Sequence, residues 1–134
     1  MAVVDTSVLL SALIPIDTHH TSCKAWLDRI IEAKQQVSAP SIILSEVAAP
    51  LGRAHNKPQV GEKLVQHIMN SPYMNLIPVS IPLAKRAAII GANYKIRGCD
   101  AIYVALAELL DEELVTLDQQ QAERAKSIVR VYHP

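Results

Sequence analysis

Arg97-Gly98-Cys99-Asp100-Ala101-Ile102-Tyr103-Val104-Ala105-Leu106-Ala107 is the stretch on which the fold of this chain turns. Gly98 lets one helix end and the next begin. From Ala101 to Ala107 there is no charge, and Ala and Leu favour helix. A helix that is apolar on nearly every side is buried rather than amphipathic. Asp100 falls in its first turn, on the face of Tyr103, Val104 and Ala107. An acid there has two readings. It caps orphan amides at the helix start, or it serves chemistry inside the fold.

Outward from this helix, short apolar strands alternate with helices. Ala2-Val3-Val4 reads as a buried strand that ends at Asp5, and Val8 to Leu13 reads as a helix stopped near Pro15. A second helix carries Ala25, Trp26, Ile30 and Ala33 on one stripe. Gln36 to Ala39 is a strand, and Pro40-Ser41 opens a third helix whose apolar face includes Ile42, Glu46 and Ala49. Pro50 is expected to kink or end that helix. Val60 to Met69 is helical. Leu76 to Val79 is a strand that Pro78 pushes to an edge, and Ser80 to Asn93 is helical. Leu114 to Leu117 is a strand ending at Asp118, Gln119 to Lys126 a short polar helix, and Ile128 to Val131 a last strand. This alternation predicts an α/β sandwich with a mostly parallel sheet. Nothing suggests a repeat or a second domain, so residues 1–134 are read as one domain. In such sheets ligands gather beyond the carboxyl ends of strands, where Asp5 and Asp118 stand.

Composition narrows the function. Half of the 134 residues are hydrophobic, which excludes disorder as the dominant state. Apolar runs are too short to cross a membrane, and the start of the chain lacks a signal-peptide pattern. Cys23 and Cys99 stand in no metal spacing, which suggests a reduced, cytoplasmic protein with Cys99 as a small buried residue. Thirteen Lys and Arg balance thirteen Asp and Glu, so a generic polyanion binder is excluded. The best local anion patch is Arg53, His55 and Lys57, read as a turn flanked by Gly and Pro and a candidate contact for RNA. His19 and His20 are read as exposed. Lys85, Arg86, Lys95 and Arg97 are read as a charged helix face that could serve the same anion.

Asp5, Glu46, Asp100 and Asp118 each follow or interrupt an apolar pattern. If they converge, repulsion raises their pKa values and costs stability. A divalent cation removes that conflict, and carboxylate oxygens without His or Cys suit Mg2+ or Mn2+ rather than zinc.

The order of these acids resembles the PIN domain, the nuclease fold found in the toxin arm of VapBC toxin–antitoxin pairs. The likeness is carried by Val3-Val4-Asp5-Thr6-Ser7-Val8-Leu9, Ser45-Glu46-Val47, Cys99-Asp100-Ala101 with the apolar run after it, and Val115-Thr116-Leu117-Asp118. It implies a three-layer sandwich with a five-stranded sheet between helices, and metal-dependent cleavage of RNA. Asp5, Asp100 and Asp118 would hold the metal. Glu46 would bind metal or orient the attacking water. Thr6, Ser7 and Thr116 would position water or phosphate through their hydroxyls. The resemblance also implies a small antitoxin partner and a homodimer, for which Trp26 and the apolar residues between Val60 and Met69 are candidate surfaces, with buried core as the competing reading. A housekeeping RNA-processing nuclease and a non-catalytic PIN-like binding module are the alternatives. An aspartyl phosphotransferase fits poorly, because Ser7 stands where its second Asp belongs.

Overall fold

The computed structural model describes residues 1–134, the side chain of His55 excepted. Five strands form one sheet in the order β3-β2-β1-β4-β5. They are β1 (Ala2–Val4), β2 (Val37–Pro40), β3 (Met74–Ile77), β4 (Glu113–Val115) and β5 (Val131–Tyr132). Every pairing is parallel, with Val3 opposite Ser38 on one side and Leu114 on the other. Seven helices connect them: α1 (Thr6–Leu13), α2 (His20–Glu32), α3 (Ile43–His55), α4 (Pro58–Asn70), α5 (Ile81–Tyr94), α6 (Gly98–Leu110) and α7 (Gln119–Ala125). The chain winds outward from β1 to β3 and then returns to β4 beside β1. With right-handed crossovers, such a reversal sends the two sets of helices to opposite faces. No helix is long and apolar enough to cross a membrane.

The core follows from residue type. All of β1 is buried, as expected of a central strand covered on both faces. Helix α6 lies against β1, β2 and β4. Tyr103, Val104, Ala105, Leu106 and Ala107 are all fully buried, so the middle of the helix has no solvent side. Its alanines let α5 and the sheet approach together. Met74 to Ile77 is only partly buried, as an edge strand should be, and it stops before Pro78, whose ring nitrogen cannot donate to a ladder.

Several expectations shift. The last strand begins at Val131, because Ala125 accepts from the amides of Ile128 and Val129 and turns that stretch. Strand β4 stops at Val115, leaving Thr116 and Leu117 beyond the sheet. Helix α3 runs through Pro50 to His55. Arg53 is therefore helical, Lys57 is the N-cap position of α4, and the expected turn shrinks to the left-handed Asn56 and its neighbour. The His55 side chain lies outside the described residues. Trp26 is buried in the core rather than on a partner-facing surface. Cys99 is exposed and Cys23 buried, because the second residue of α6 points away from the face that packs.

Candidate active site

Asp5 leaves β1 at the point where the strand order reverses. Its amide donates to the Val115 carbonyl at 2.9 Å, so the end of β4 fixes its backbone. Asp5 occupies the N-cap position of α1, yet its carboxylate makes no cap bond. Ser7 Oγ and Thr116 Oγ1 instead donate to one oxygen, Oδ2, at 2.7 and 3.0 Å. Asp5 is 6% exposed, and burial pushes its carboxyl pKa up. The two hydroxyl bonds oppose that rise, while the nearby Asp100 adds to it.

Glu46 lies in the first turn of α3. Tyr103 of α6 donates its hydroxyl to Glu46 Oε1 at 2.7 Å. Thr6 Oγ1 stands 2.8 Å from that same hydroxyl and 3.3 Å from Oε1. Three elements distant in the chain thus hold one carboxylate. The Tyr103 phenol pKa is raised, first by burial and then by the Glu46 carboxylate, so it stays a donor.

Asp100 does not cap α6. Arg97 takes that position without a side-chain cap bond, and Asp100 sits inside the first turn. Asp118 does cap, since its Oδ1 accepts from the Gln121 amide at 3.0 Å. One oxygen of each acid turns to Arg97, whose Nε lies 2.9 Å from Asp100 Oδ2 and whose terminal nitrogen lies 3.2 Å from Asp118 Oδ2. Gln121 ties the floor together. It is 2% exposed, its Oε1 lies 2.7 Å from Thr116 Oγ1, whose one proton it shares with Asp5 Oδ2, and its side-chain nitrogen donates to the Asp100 carbonyl at 3.3 Å.

All four acids line one open cleft of about 550 Å³, together with Thr6, Ser7, Arg53 and Arg97. Lys57 is not among the residues that line it, and Thr116 is fully buried beneath. The hydroxyls of Thr6, Ser7 and Thr116 hold carboxylates here, with Ser7 also accepting from the Leu117 amide at 3.1 Å. Of the expected charged helix face, Arg86 pairs instead with Glu108, and Lys95 adopts the left-handed C-cap of α5.

Two supports were not legible as such: Tyr103 reads as one more core residue in an apolar run, and Gln121 as part of a solvated helix. The position of Tyr103 on the same face as Asp100 was the available signal for the first. Gln121 carries a weaker one, three residues after an N-capping Asp.

The donor chemistry suits a hard cation. Among the described residues the lining offers four carboxyl groups and no imidazole or thiolate. A buried carboxyl with raised pKa next to a second acid is a site where a dication relieves a standing cost. Among the described residues, no three His, Cys, Asp or Glu side chains already stand in a ligating array. Asp100 and Asp118 each give one oxygen, Oδ2, to Arg97.

The sequence profile of the PIN domain matches residues 2–127. No curated protein sequence matches the chain. Among solved structures, FitAcB from Neisseria gonorrhoeae is 26% identical with a TM-score of 0.73, over 98% of this chain and 96% of that one. VapC20 of Mycobacterium tuberculosis, a sarcin–ricin-loop-cleaving toxin, is 18% identical with a TM-score of 0.76, over 92% of this chain and 94% of that one. VapBC2 from Rickettsia felis, solved on a promoter DNA fragment, is 17% identical with a TM-score of 0.72, over 99% of this chain and 98% of that one. With the profile matching over nearly its whole length, the chain belongs to the PIN domain family.

Proposed function

We propose that this chain is a divalent-metal-dependent ribonuclease that hydrolyses RNA phosphodiester bonds, and that it is the toxin of a VapBC-type pair. The observation that carries the reading is the convergence of Asp5, Glu46, Asp100 and Asp118 on one cleft from four separate parts of the chain. Asp5, Asp100 and Asp118 would hold Mg2+ or Mn2+, and Glu46 would bind metal or orient the attacking water. When bound, the metal acidifies water and stabilises charge on the phosphate. The chain's own groups supply the rest. Ser7 and Thr116 fix the direction of Asp5, Tyr103 and Thr6 fix that of Glu46, and Arg53 on the wall of the cleft faces the polyanion. Residues 1–134 act as one domain.

Substitution of Asp100→Asn tests the assignment. Asn keeps the volume and an acceptor for Arg97, so the far-UV spectrum and the melting profile stay close to wild type. RNA cleavage in Mg2+ or Mn2+ falls to background. A variant that cleaves at the wild-type rate overturns the catalytic role.

The toxin assignment draws on the assemblies named FitAcB and VapBC2. It implies a small antitoxin encoded beside this chain, which binds it and blocks cleavage, and a homodimer as the working unit. A chain that cleaves RNA with no such neighbour fits a housekeeping processing nuclease instead.

A further inference from the structure

The cation already in the cleft is part of the chain. Arg97 immediately precedes α6, and its side chain folds back over the acids. Its guanidinium spans two carboxylates that belong to different elements, Asp100 in α6 and Asp118 at the start of α7. The burial is graded: the Arg97 side chain is 75% exposed, against 18% for Asp100 and 29% for Asp118. The guanidinium therefore lies over the mouth of the cleft and the carboxylates lie within it.

Two features make this arginine displaceable. Its pairs are solvent-exposed, and such pairs are weak and screened by salt. The backbone under the two acids is held independently of it. Gln121 donates through its side chain to the Asp100 carbonyl and through its amide to Asp118 Oδ1. The Asp118 carboxylate and the backbone of Asp100 are therefore still held when the guanidinium departs. What Arg97 occupies is Oδ2 of each acid.

We propose that Arg97 is a tethered counter-ion that bridges Asp100 and Asp118 in the metal-free protein and must release both before a dication can use them. The inference rests on the metal-dependent reading above. The guanidinium and the dication seek the same oxygens, and they repel each other in the same cleft. An arginine that merely buttressed the site would have the opposite signature, because its loss would let the acids splay and weaken the metal.

The test is a calorimetric titration of Mn2+ into the metal-stripped full chain at neutral pH, for wild type, Arg97→Gln and Arg97→Lys. Arg97→Gln should bind Mn2+ more tightly, by roughly three- to tenfold if two exposed pairs are lost. Arg97→Lys, which keeps the charge but not the planar fork, should fall between. A second readout follows the arginine itself. The Nε–Hε resonance of Arg97, assigned by its absence in Arg97→Gln, should exchange slowly without metal and become solvent-like as Mg2+ is added. Unchanged or weaker Mn2+ binding by Arg97→Gln, or a resonance indifferent to Mg2+, overturns the inference and leaves the metal reading standing. Binding by the variant and not by wild type supports it in its strongest form. Binding by none of the three proteins removes the metal reading and this inference together.

Discussion

Tyr103→Phe separates the packing role of an aromatic ring from the role of its hydroxyl. The ring is fully buried in α6, and Phe keeps it, so no cavity opens. What disappears is one donor, 2.7 Å from Glu46 Oε1 and 2.8 Å from Thr6 Oγ1. A hydrogen bond to a charged acceptor is worth about 1.5–3 kcal/mol. Glu46 is only half-buried and can turn to Thr6 and to water, so the cost belongs at the low end, about 1.5 kcal/mol. In a domain of this size that corresponds to a fall in Tm of roughly 4–8 °C. Urea unfolding measures it, with an unchanged slope showing that both end states keep their compactness. The decisive form is a double-mutant cycle with Glu46→Ala. Once the carboxylate is gone, Tyr103→Phe should cost much less, with a coupling of about 1 kcal/mol. In the cleavage assay the single variant should lower kcat more than it changes KM, since Glu46 is left in place and loses its aim. Equal costs in the two backgrounds would falsify the view that this hydroxyl holds Glu46.

Two further predictions concern the frame around the cleft. A Cβ added at Gly61 would stand 2.8 Å from the Ala48 carbonyl oxygen, so Gly61→Ala forces α4 away from α3 and should destabilise by about 1–3 kcal/mol. Helix propensity alone favours Ala by about 1 kcal/mol, so a rise in Tm would show that the helices are not in close contact there. The Arg86 guanidinium grips Glu108 with two bonds of 2.6 Å and holds that carboxyl below its ordinary value. A depressed carboxyl stabilises the fold above its unfolded value, 4.5, and loses that contribution as pH falls through the folded value. The Tm of Glu108→Gln should therefore lie slightly below wild type at pH 7 and merge with it in strong acid; a gap that ignores pH contradicts the pairing.

Much of the fold was legible because it rests on local patterns. A chargeless run from Ala101 to Ala107 has few stable destinations other than the core. The β-branched pair Val3-Val4 ahead of an acid, and Pro78 at the end of another apolar run, carry their own strand signals. Boundaries were less legible where tertiary contacts overrule local preference. Pro50 cannot donate to the carbonyl one turn back, yet α3 continues past it, with α4 packed alongside. Ile128 and Val129 look like strand, but their amides are taken by Ala125.

The four acids show the same division. Their order and their places after strands and within helices are properties of the chain, but that Asp5, Glu46, Asp100 and Asp118 share one cleft was an expectation only through the resemblance to the PIN domain. How each carboxylate is held is set by side chains far away in sequence, such as Tyr103 on Glu46, Thr116 on Asp5 and Gln121 beneath Asp100. Periodicity reports which way a residue faces, because one element's geometry sets that direction. It carries no information on what waits across the cleft. Only the packed helices could show that Asp118 caps while Asp100 does not, or that the nearest cation to both is Arg97.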